Sequence, residues 1–552
     1  MGAAPRHFAY KAAEEVLRRF PNEKLYTVEA GVTPSGKIHL GNFIDIVLAD
    51  SVMRALKSTG VEAEGYLAVD SMDPFRQSPT FAPEEFQREA DQYVGKPFEK
   101  IPDPWNCHKS YAQHFVEPVE KSFEAYGVGL QVKWASGLHR SRGYVNYLLE
   151  VLKRAAQVVE VLNEVKKEAG HAKLYPKGWI PYRPLCASCG RIDEAVKPLE
   201  LTECLKVKYR CSHCGYEGEA DPSKAEGKPP WRVDWPLRWL TLNVHFEPLG
   251  KDHMASGSGY DTGCALAKKI FNRDPPIPIF YDFVYFIKRE NSVKIYSKFS
   301  KRKGVGLGID EWLRYAPPEV LRFQFLKKDS SNIFGEALSH WDFEFEQIPS
   351  YVEEFDRFEE HVFNDPNPLF QQTYKLVMPN ETPARAPKRV SYYQLARVAA
   401  WMENLEDGLK MLERQGKLQG LEDWELVDVK KRLGMAWEWL KIVGYGVVLQ
   451  DPIKALETVK ALEPRVVQAF VKAASEIVEN RYTDVNESVR KAAEKFGLTG
   501  REERLYVYKV FYRSLLGEDS GPPLRRLISR PEVIELLKKI LEKLTINSAS
   551  SS

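Results

Sequence analysis

The chain has 552 residues, 43% of them hydrophobic and 28% charged, with a formal charge of +2. That is the composition of an ordinary globular protein with room for several domains, and it excludes a disordered or collagen-like chain. A near-neutral balance means that any nucleic-acid surface must be a local basic patch, and no uninterrupted apolar run of about 18 residues is present to suggest a membrane span.

The first segment, MGAAPRHFAYKAAEEVLRRF, scatters charges through its apolar pattern and reads as an amphipathic helix, not a signal peptide. Seven cysteines beside such a start point to a reducing, cytoplasmic setting. Residues 24–32 read as a buried strand, residues 38–58 as a helix with Ile38, Phe43, Ile44, Val47, Leu48, Val52 and Leu56 on its apolar positions, and residues 62–69 as a second strand. Strand, loop, helix and strand in that order make the first half of a parallel α/β unit.

The loop between the first strand and helix is TPSGKIHLGN, residues 33–42. In an open parallel sheet, ligands bind beyond the carboxyl ends of strands, where a loop leads into a helix N-terminus. Free N–H groups and the helix dipole favour phosphate there. Gly36 and Gly41 let the backbone approach a bulky ligand. His39 and Asn42, three apart, share one helix face.

Residues 72–230 read as an insertion. It opens on the loop-like DPFRQSPTFAPEEF, runs helical to about residue 170 and ends in a cysteine-bearing knuckle. Cys186-x-x-Cys189-Gly and Cys211-x-x-Cys214-Gly are matched pairs, and four thiolates suit a closed tetrahedral structural zinc. His213 is an alternative ligand, and Cys107, Cys204 and Cys264 read as ordinary thiols.

Residues 231–345 return to short apolar strands such as PIPIFYDFVYF. They then carry IYSKFSKRKG, residues 295–304, a cationic loop suited to closing over a polyphosphate. Residues 346–385 read as a connecting segment, the proline-rich VMPNETPARAPKRV (377–390) is the linker candidate at its end, and residues 386–552 read as helical.

His39-Leu40-Gly41-Asn42 and Lys298-Phe299-Ser300-Lys301-Arg302 resemble, in order and setting, the HIGH and KMSKS signatures of class I aminoacyl-tRNA synthetases. VEAGVTPSGKIHLGNF, the DPW-CH-SYA-HF pattern from Asp103 to Phe115, WRVDWPLRW (231–239), FEPLGKDHMASGSGYDTG (246–263) and FVYF before the lysine loop narrow the resemblance to the class I, archaeal-type lysyl-tRNA synthetases. It covers most of residues 5–350. At 69–79 this chain has VDSMDPFRQSP where that family usually shows WDDYDRFRKVP, and it keeps Asp70, Asp73, Phe75 and Arg76.

The resemblance implies an α/β fold: a Rossmann-type parallel-sheet catalytic domain split between residues 1–71 and 231–345, a zinc-containing insertion at 72–230, and an all-α anticodon-binding region at 386–552. It implies activation of L-lysine with ATP to lysyl-adenylate and transfer to the 3′ end of tRNA(Lys), with Mg²⁺ bridging the phosphates. His39, Asn42, Lys298 and Lys301 would carry the catalytic charge handling, and Pro34, Ser35, Gly36, Gly41 and Ser300 would hold ATP. An ammonium needs an anionic or aromatic cage, for which the resemblance offers Glu29, Gly31, Thr33, Trp231, Asp234, Trp235, His253 and Tyr281. The implied partners are lysine and tRNA(Lys), at its anticodon and acceptor stem, with no membrane and a monomer favoured. Tyr392, Tyr393, Trp401, Trp437, Trp439, Tyr508 and Arg513 are among the residues suited to reading splayed bases. Two alternatives stand beside this reading. One is a glutamyl-type class I synthetase, which would need cationic groups for its substrate's side chain; the other is a non-catalytic zinc-containing RNA-binding paralogue.

Overall fold

The computed structural model describes residues 6–290, 293–298, 306–327, 334, 336–365, 367–443, 449–479, 484–519, 524–528 and 531–549. They divide into two units, residues 1–389 and 390–552.

The first unit is built on α1 (Phe8–Arg19), β1 (Tyr26–Val32), α2 (Leu40–Ser58), β2 (Ala63–Val69), α3 (Tyr111–Tyr126), β3 (Leu130–Trp134), α4 (Trp231–Leu242), β4 (Val244–Gly250), α5 (Gly259–Phe271) and β5 (Ile277–Tyr281). The strands form one sheet in the order β5-β4-β1-β2-β3, and every neighbouring pair is parallel. Strands β1, β2 and β4 are buried along almost their whole length, as strands covered on both faces must be. The strand order reverses between β1 and β4, which opens a crevice at their carboxyl ends.

Two segments differ from the sequence expectation. Residues 72–230 are not one insertion, because Leu130–Trp134 returns to the parallel sheet as its edge strand β3. WRVDWPLRW is helical (α4) despite Pro236 within it. Its tryptophans fall at i, i+4 and i+8, so they stack along one face: ring centroids are 4.9 Å apart for Trp231 and Trp235 and 5.1 Å for Trp235 and Trp239.

A smaller sheet follows the main one. Val284–Glu290 (β6) pairs antiparallel with Val293–Lys298 (β7) and parallel with Trp341–Phe343 (β8). Behind α2 sits a buried ion pair, with Arg322 Nη2 2.8 Å from Asp50 Oδ2 and both side chains sealed from solvent. The Arg322 guanidinium also donates to the carbonyls of Leu376 at 2.6 Å and Tyr126 at 3.4 Å. It thus ties the helix Pro318–Leu326 to α2, α3 and the helix Pro368–Val377.

The second unit is helical among its described residues, around a core that includes Phe470 and Phe511, whose rings lie 4.7 Å apart. Tyr392 is fully buried, which removes it from the residues free to stack on a base, whereas Tyr393 is half exposed. Among the described residues, no helix is long and apolar enough to cross a membrane.

Candidate functional site

A cleft of about 480 Å³ occupies the crevice, lined by Gly31, Val32, Thr33, His39, Gly41, Asn42, Gly250, Asp252, His253, Tyr281, Phe283 and Val284. It draws on the carboxyl ends of β1, β4 and β5 and on the head of α2. His39 occupies the N-cap position of α2, and the Asn42 Oδ1 accepts from the His39 backbone N–H at 3.4 Å. Both side chains therefore stand at the positive end of the helix dipole. A Cβ on Gly41 would come within 3.1 Å of the His39 ring, so glycine leaves that ring its place. The segment that follows the KMSKS-like loop is fastened to the same spot: the Leu40 N–H donates to the Leu307 carbonyl at 3.0 Å, and Lys37 pairs with Glu311 at 2.5 Å. Lys298 ends β7. Its side chain, Ser300 and Lys301 lie outside the described residues.

Four of the expected lysine contacts, Gly31, Thr33, His253 and Tyr281, line the cleft together. Trp235 is buried with its ring 5.0 Å from that of His253, and Trp231 stacks behind it. Asp234 is engaged elsewhere. Its carboxylate accepts from Tyr144, lies 3.0 Å from His139 Nε2 and pairs with Lys228 at 2.8 Å. Burial alone would raise its pKa, yet Lys228 and His139 hold it well below the usual carboxylate range. A carboxylate so neutralised by the chain's own lysine is not the open acid that a substrate ammonium needs. Glu29 is wholly buried and ion-paired with Arg238. Pro34, Ser35 and Gly36 form the loop between β1 and α2.

Sequence reasoning named Glu29 and Asp70 but passed over Glu247 and the Arg238 that joins them. Its guanidinium pairs with Asp70 at 2.9 Å and Glu247 at 3.5 Å as well as with Glu29. Glu247 also accepts from the Trp235 indole at 3.0 Å and from that of Trp239. The signal was available: an acid inside a strand as apolar as YTVEAGV or VHFEPLG must find a buried partner.

A family model described as tRNA synthetases class I (K) matches residues 6–380. The chain belongs to that family. Lysine--tRNA ligase from Methanocaldococcus jannaschii is 31% identical over 94% of this chain and 96% of its own length. The ligase of the same name from Methanococcus maripaludis is 31% identical over 94% and 96%, and that from Pyrococcus horikoshii 29% over 97% and 99%.

Among its described residues, this class I synthetase carries two sets of side chains that could hold a metal ion. In the first, Cys186, Cys189, Cys211 and Cys214 bring their sulfurs within 4.8 Å of one another, with 3.7 Å between Cys186 and Cys214 and between Cys189 and Cys211. Tetrahedral zinc with bonds of about 2.3 Å requires sulfurs about 3.8 Å apart, whereas a disulfide would bring them to about 2.05 Å. The knuckles are alike. Gly190 and Gly215 take left-handed φ of 75° and 76°, and each donates its N–H to the first cysteine's carbonyl at 2.9 Å.

The second set is Asp103, Cys107, His108 and His114. Cys107, expected to be an ordinary thiol, has its Sγ 3.2 Å from Asp103 Oδ2, 3.1 Å from His108 Nδ1 and 3.3 Å from His114 Nδ1. Burial raises the Asp103 pKa, but N–H donors from Trp105, Cys107 and His108 outweigh it and keep the carboxylate ionised. The far nitrogen of His108 faces Glu117 at 3.1 Å, the kind of outer carboxylate that orients a ligating imidazole. Cys204 and Cys264 belong to neither set.

Proposed function

We propose that this synthetase activates L-lysine with ATP and transfers the lysyl group to the 3′ end of tRNA(Lys). The observation that carries this reading is the matching name, lysine--tRNA ligase, of relatives that align over nearly the whole chain, together with a cleft that joins a phosphate-suited helix head to a buried acidic floor. In the first step a carboxylate oxygen of lysine attacks the α-phosphorus of ATP, and the bond to pyrophosphate breaks. In the second, a ribose hydroxyl of the tRNA attacks the acyl carbon and AMP leaves.

His39, Asn42 and the head of α2 would meet the phosphates. Lys298 and Lys301 would hold the departing pyrophosphate, with Ser300 beside them, because charge gathers there as the bond breaks. ATP enters as its Mg²⁺ complex, over Pro34, Ser35, Gly36 and Gly41. Gly31, Thr33, His253, Tyr281 and the Trp231–Trp235 stack would surround lysine, with Glu29 beneath. A glutamyl substrate would set a carboxylate over Glu29, Asp70 and Glu247, where its charge is repelled.

The cysteine knuckles would hold a structural zinc, whose chemistry is to fix the fold of residues 186–220. The Asp103 set has the nitrogen, sulfur and oxygen donors for a second ion. The helical second unit would read the anticodon, and the enzyme would act in the cytoplasm as a monomer. The test is pyrophosphate exchange and charging with ATP, Mg²⁺, lysine and lysine tRNA. Activity with lysine and none with glutamate supports the reading; equal exchange with glutamate, or none with any amino acid, removes it.

A further inference from the structure

The turn that follows β2 is held by a strap from further along the chain. Residues 95–99 lie antiparallel to residues 71–75, with Pro74 bridged to Pro97. The Phe75 N–H donates to the Lys96 carbonyl at 2.8 Å, the Gly95 N–H to that of Phe75 at 2.7 Å, the Phe98 N–H to that of Asp73 at 3.1 Å and the Glu99 N–H to that of Ser71 at 3.1 Å. Those four contacts are between backbones, which many sequences could make. At its inner end the strap is closed again by side chains: the Ser71 hydroxyl donates to Glu99 Oε2 at 2.9 Å. Ser71 is fully buried and Glu99 half-buried. Glu99 thus grips Ser71 by its carbonyl and by its hydroxyl.

Ser71 is also a position where this chain departs from the pattern it resembles. VDSMDPFRQSP has a serine where WDDYDRFRKVP has an acid, between the retained Asp70 and Asp73. The negative charge is still delivered there, because Glu99 brings a carboxylate to Ser71 from the strap. A hydroxyl that donates to a carboxylate makes a bond about twice as strong as a neutral one.

The turn reaches the cleft through Asp70, the residue before Ser71. The Asp70 N–H donates to the Val32 carbonyl at 2.9 Å, and its Oδ2 accepts from the Thr33 hydroxyl at 3.3 Å. Val32 and Thr33 both line the cleft, whereas Glu99 does not. Resting on the lysine reading above, we propose that Glu99 is a positioning residue for amino-acid capture: its carboxylate, received by Ser71, replaces the acid that the turn lacks and fixes, through Asp70, the Thr33 wall of the cleft. Acting at one remove from the substrate, it sets how well the amino acid is held and leaves the chemistry of the bound complex alone.

The experiment exchanges the acid and the hydroxyl across the strap. Full-length Glu99→Gln, Ser71→Asp and the double variant Ser71→Asp/Glu99→Ser are compared by pyrophosphate exchange with ATP, Mg²⁺ and lysine tRNA, using whichever amino acid the unsubstituted enzyme activates. Peptide-resolved hydrogen exchange over residues 30–36 is followed in parallel. We expect Glu99→Gln to raise the amino-acid KM about fivefold to tenfold with kcat nearly unchanged, since a neutral acceptor makes the weaker bond. Ser71→Asp alone sets two carboxylates against each other, so it should cost more, and residues 30–36 should exchange faster. In the double variant one carboxylate again faces one hydroxyl, and the touching backbones let the shorter pair close. KM and protection should then return to within about twofold of the unsubstituted values, a coupling that independent sites would not show. Additive losses in the double variant overturn the inference. So does a Glu99→Gln variant that melts lower with its KM unchanged, which leaves the pair a fold contact only. If Ser71→Asp fails to fold, Glu99→Gln and the double variant still decide. Activation of a different amino acid with the same rescue removes the lysine reading and keeps the positioning role. If no amino acid is activated, the proposed function falls, and the rescue of protection over residues 30–36 decides the role of Glu99.

Discussion

The Tyr111 hydroxyl donates to the Ser35 carbonyl at 3.1 Å. Tyr111 opens α3, three residues before the ligand-set residue His114, and Ser35 lies in the loop that leads to His39. One helical turn therefore joins the Asp103 cluster to the phosphate-facing loop. Tyr111→Phe removes a hydrogen bond of about 1 kcal/mol. We expect a loss of roughly threefold to tenfold in kcat/KM for ATP, with the KM for lysine unchanged. Steady-state charging kinetics alongside a thermal melt will check this, and unaltered ATP kinetics would count against the loop's dependence on Tyr111.

His39→Ala and Asn42→Ala should each lower the exchange rate by about 10²–10³, as the loss of one preorganised donor does, while lysine affinity stays close to that of the unsubstituted protein. Gly41→Ala should act through His39, since its new methyl group meets the imidazole at 3.1 Å. Its defect should disappear in a His39→Ala background. Additive losses in the double variant would show that Gly41 works by another route.

Metal analysis should give about one zinc per chain from the four cysteines, plus any ion held by the Asp103 set. Cys211→Ser should first loosen residues 186–220, because their three short strands have few apolar residues of their own. Hydrogen exchange resolved by peptide measures this directly. Uniform protection across that segment in a metal-free quadruple Cys→Ser variant would remove the structural role.

Asp50→Ala leaves the Arg322 guanidinium buried among carbonyls with one carboxylate fewer. Breaking such a pair costs about 3–5 kcal/mol. Chemical denaturation followed on the first unit should show a fall of that order, and replacing both partners with apolar residues should recover part of it.

If the second unit reads the anticodon, changing the third anticodon nucleotide of lysine tRNA from uridine to cytidine should depress charging by roughly tenfold to a hundredfold. A buried donor left facing the cytidine amino group costs about 1–3 kcal/mol. Removing residues 390–552 should abolish that preference. Indifference of the whole enzyme to the anticodon would make this unit a scaffold.

The unit β1–α2–β2 was legible because two short, largely apolar strands flank a segment whose apolar residues recur at helical spacing, with turn residues at the breaks. Strand β3 was not, because it is the sheet's edge and only Leu130 in LQVKW is buried. Four cysteines in two equal pairs announce themselves by spacing. Asp103, Cys107, His108 and His114 do not, since mixed residue types at unequal intervals become a cluster only once a turn folds them together. The chemistry of Asp234 was misjudged for a related reason. Its neutralising partners, Lys228, His139 and Tyr144, come from residues 139–228, a stretch that gives no sequence hint of facing α4.

Strand β1 pairs with β4 through Thr27 and Val244. During synthesis, the first strand, the phosphate loop and α2 leave the ribosome long before the strand that completes their crevice. Parallel pairing over such a separation closes late and slowly. Meanwhile β2 and β3 can already dock on one side of β1. The other side, carrying Glu29 in an apolar strand, remains an open edge until Glu247 and Arg238 arrive. The order of the sheet thus makes the substrate crevice the last part of the parallel core to assemble, and its exposed precursor the species most in need of protection from aggregation.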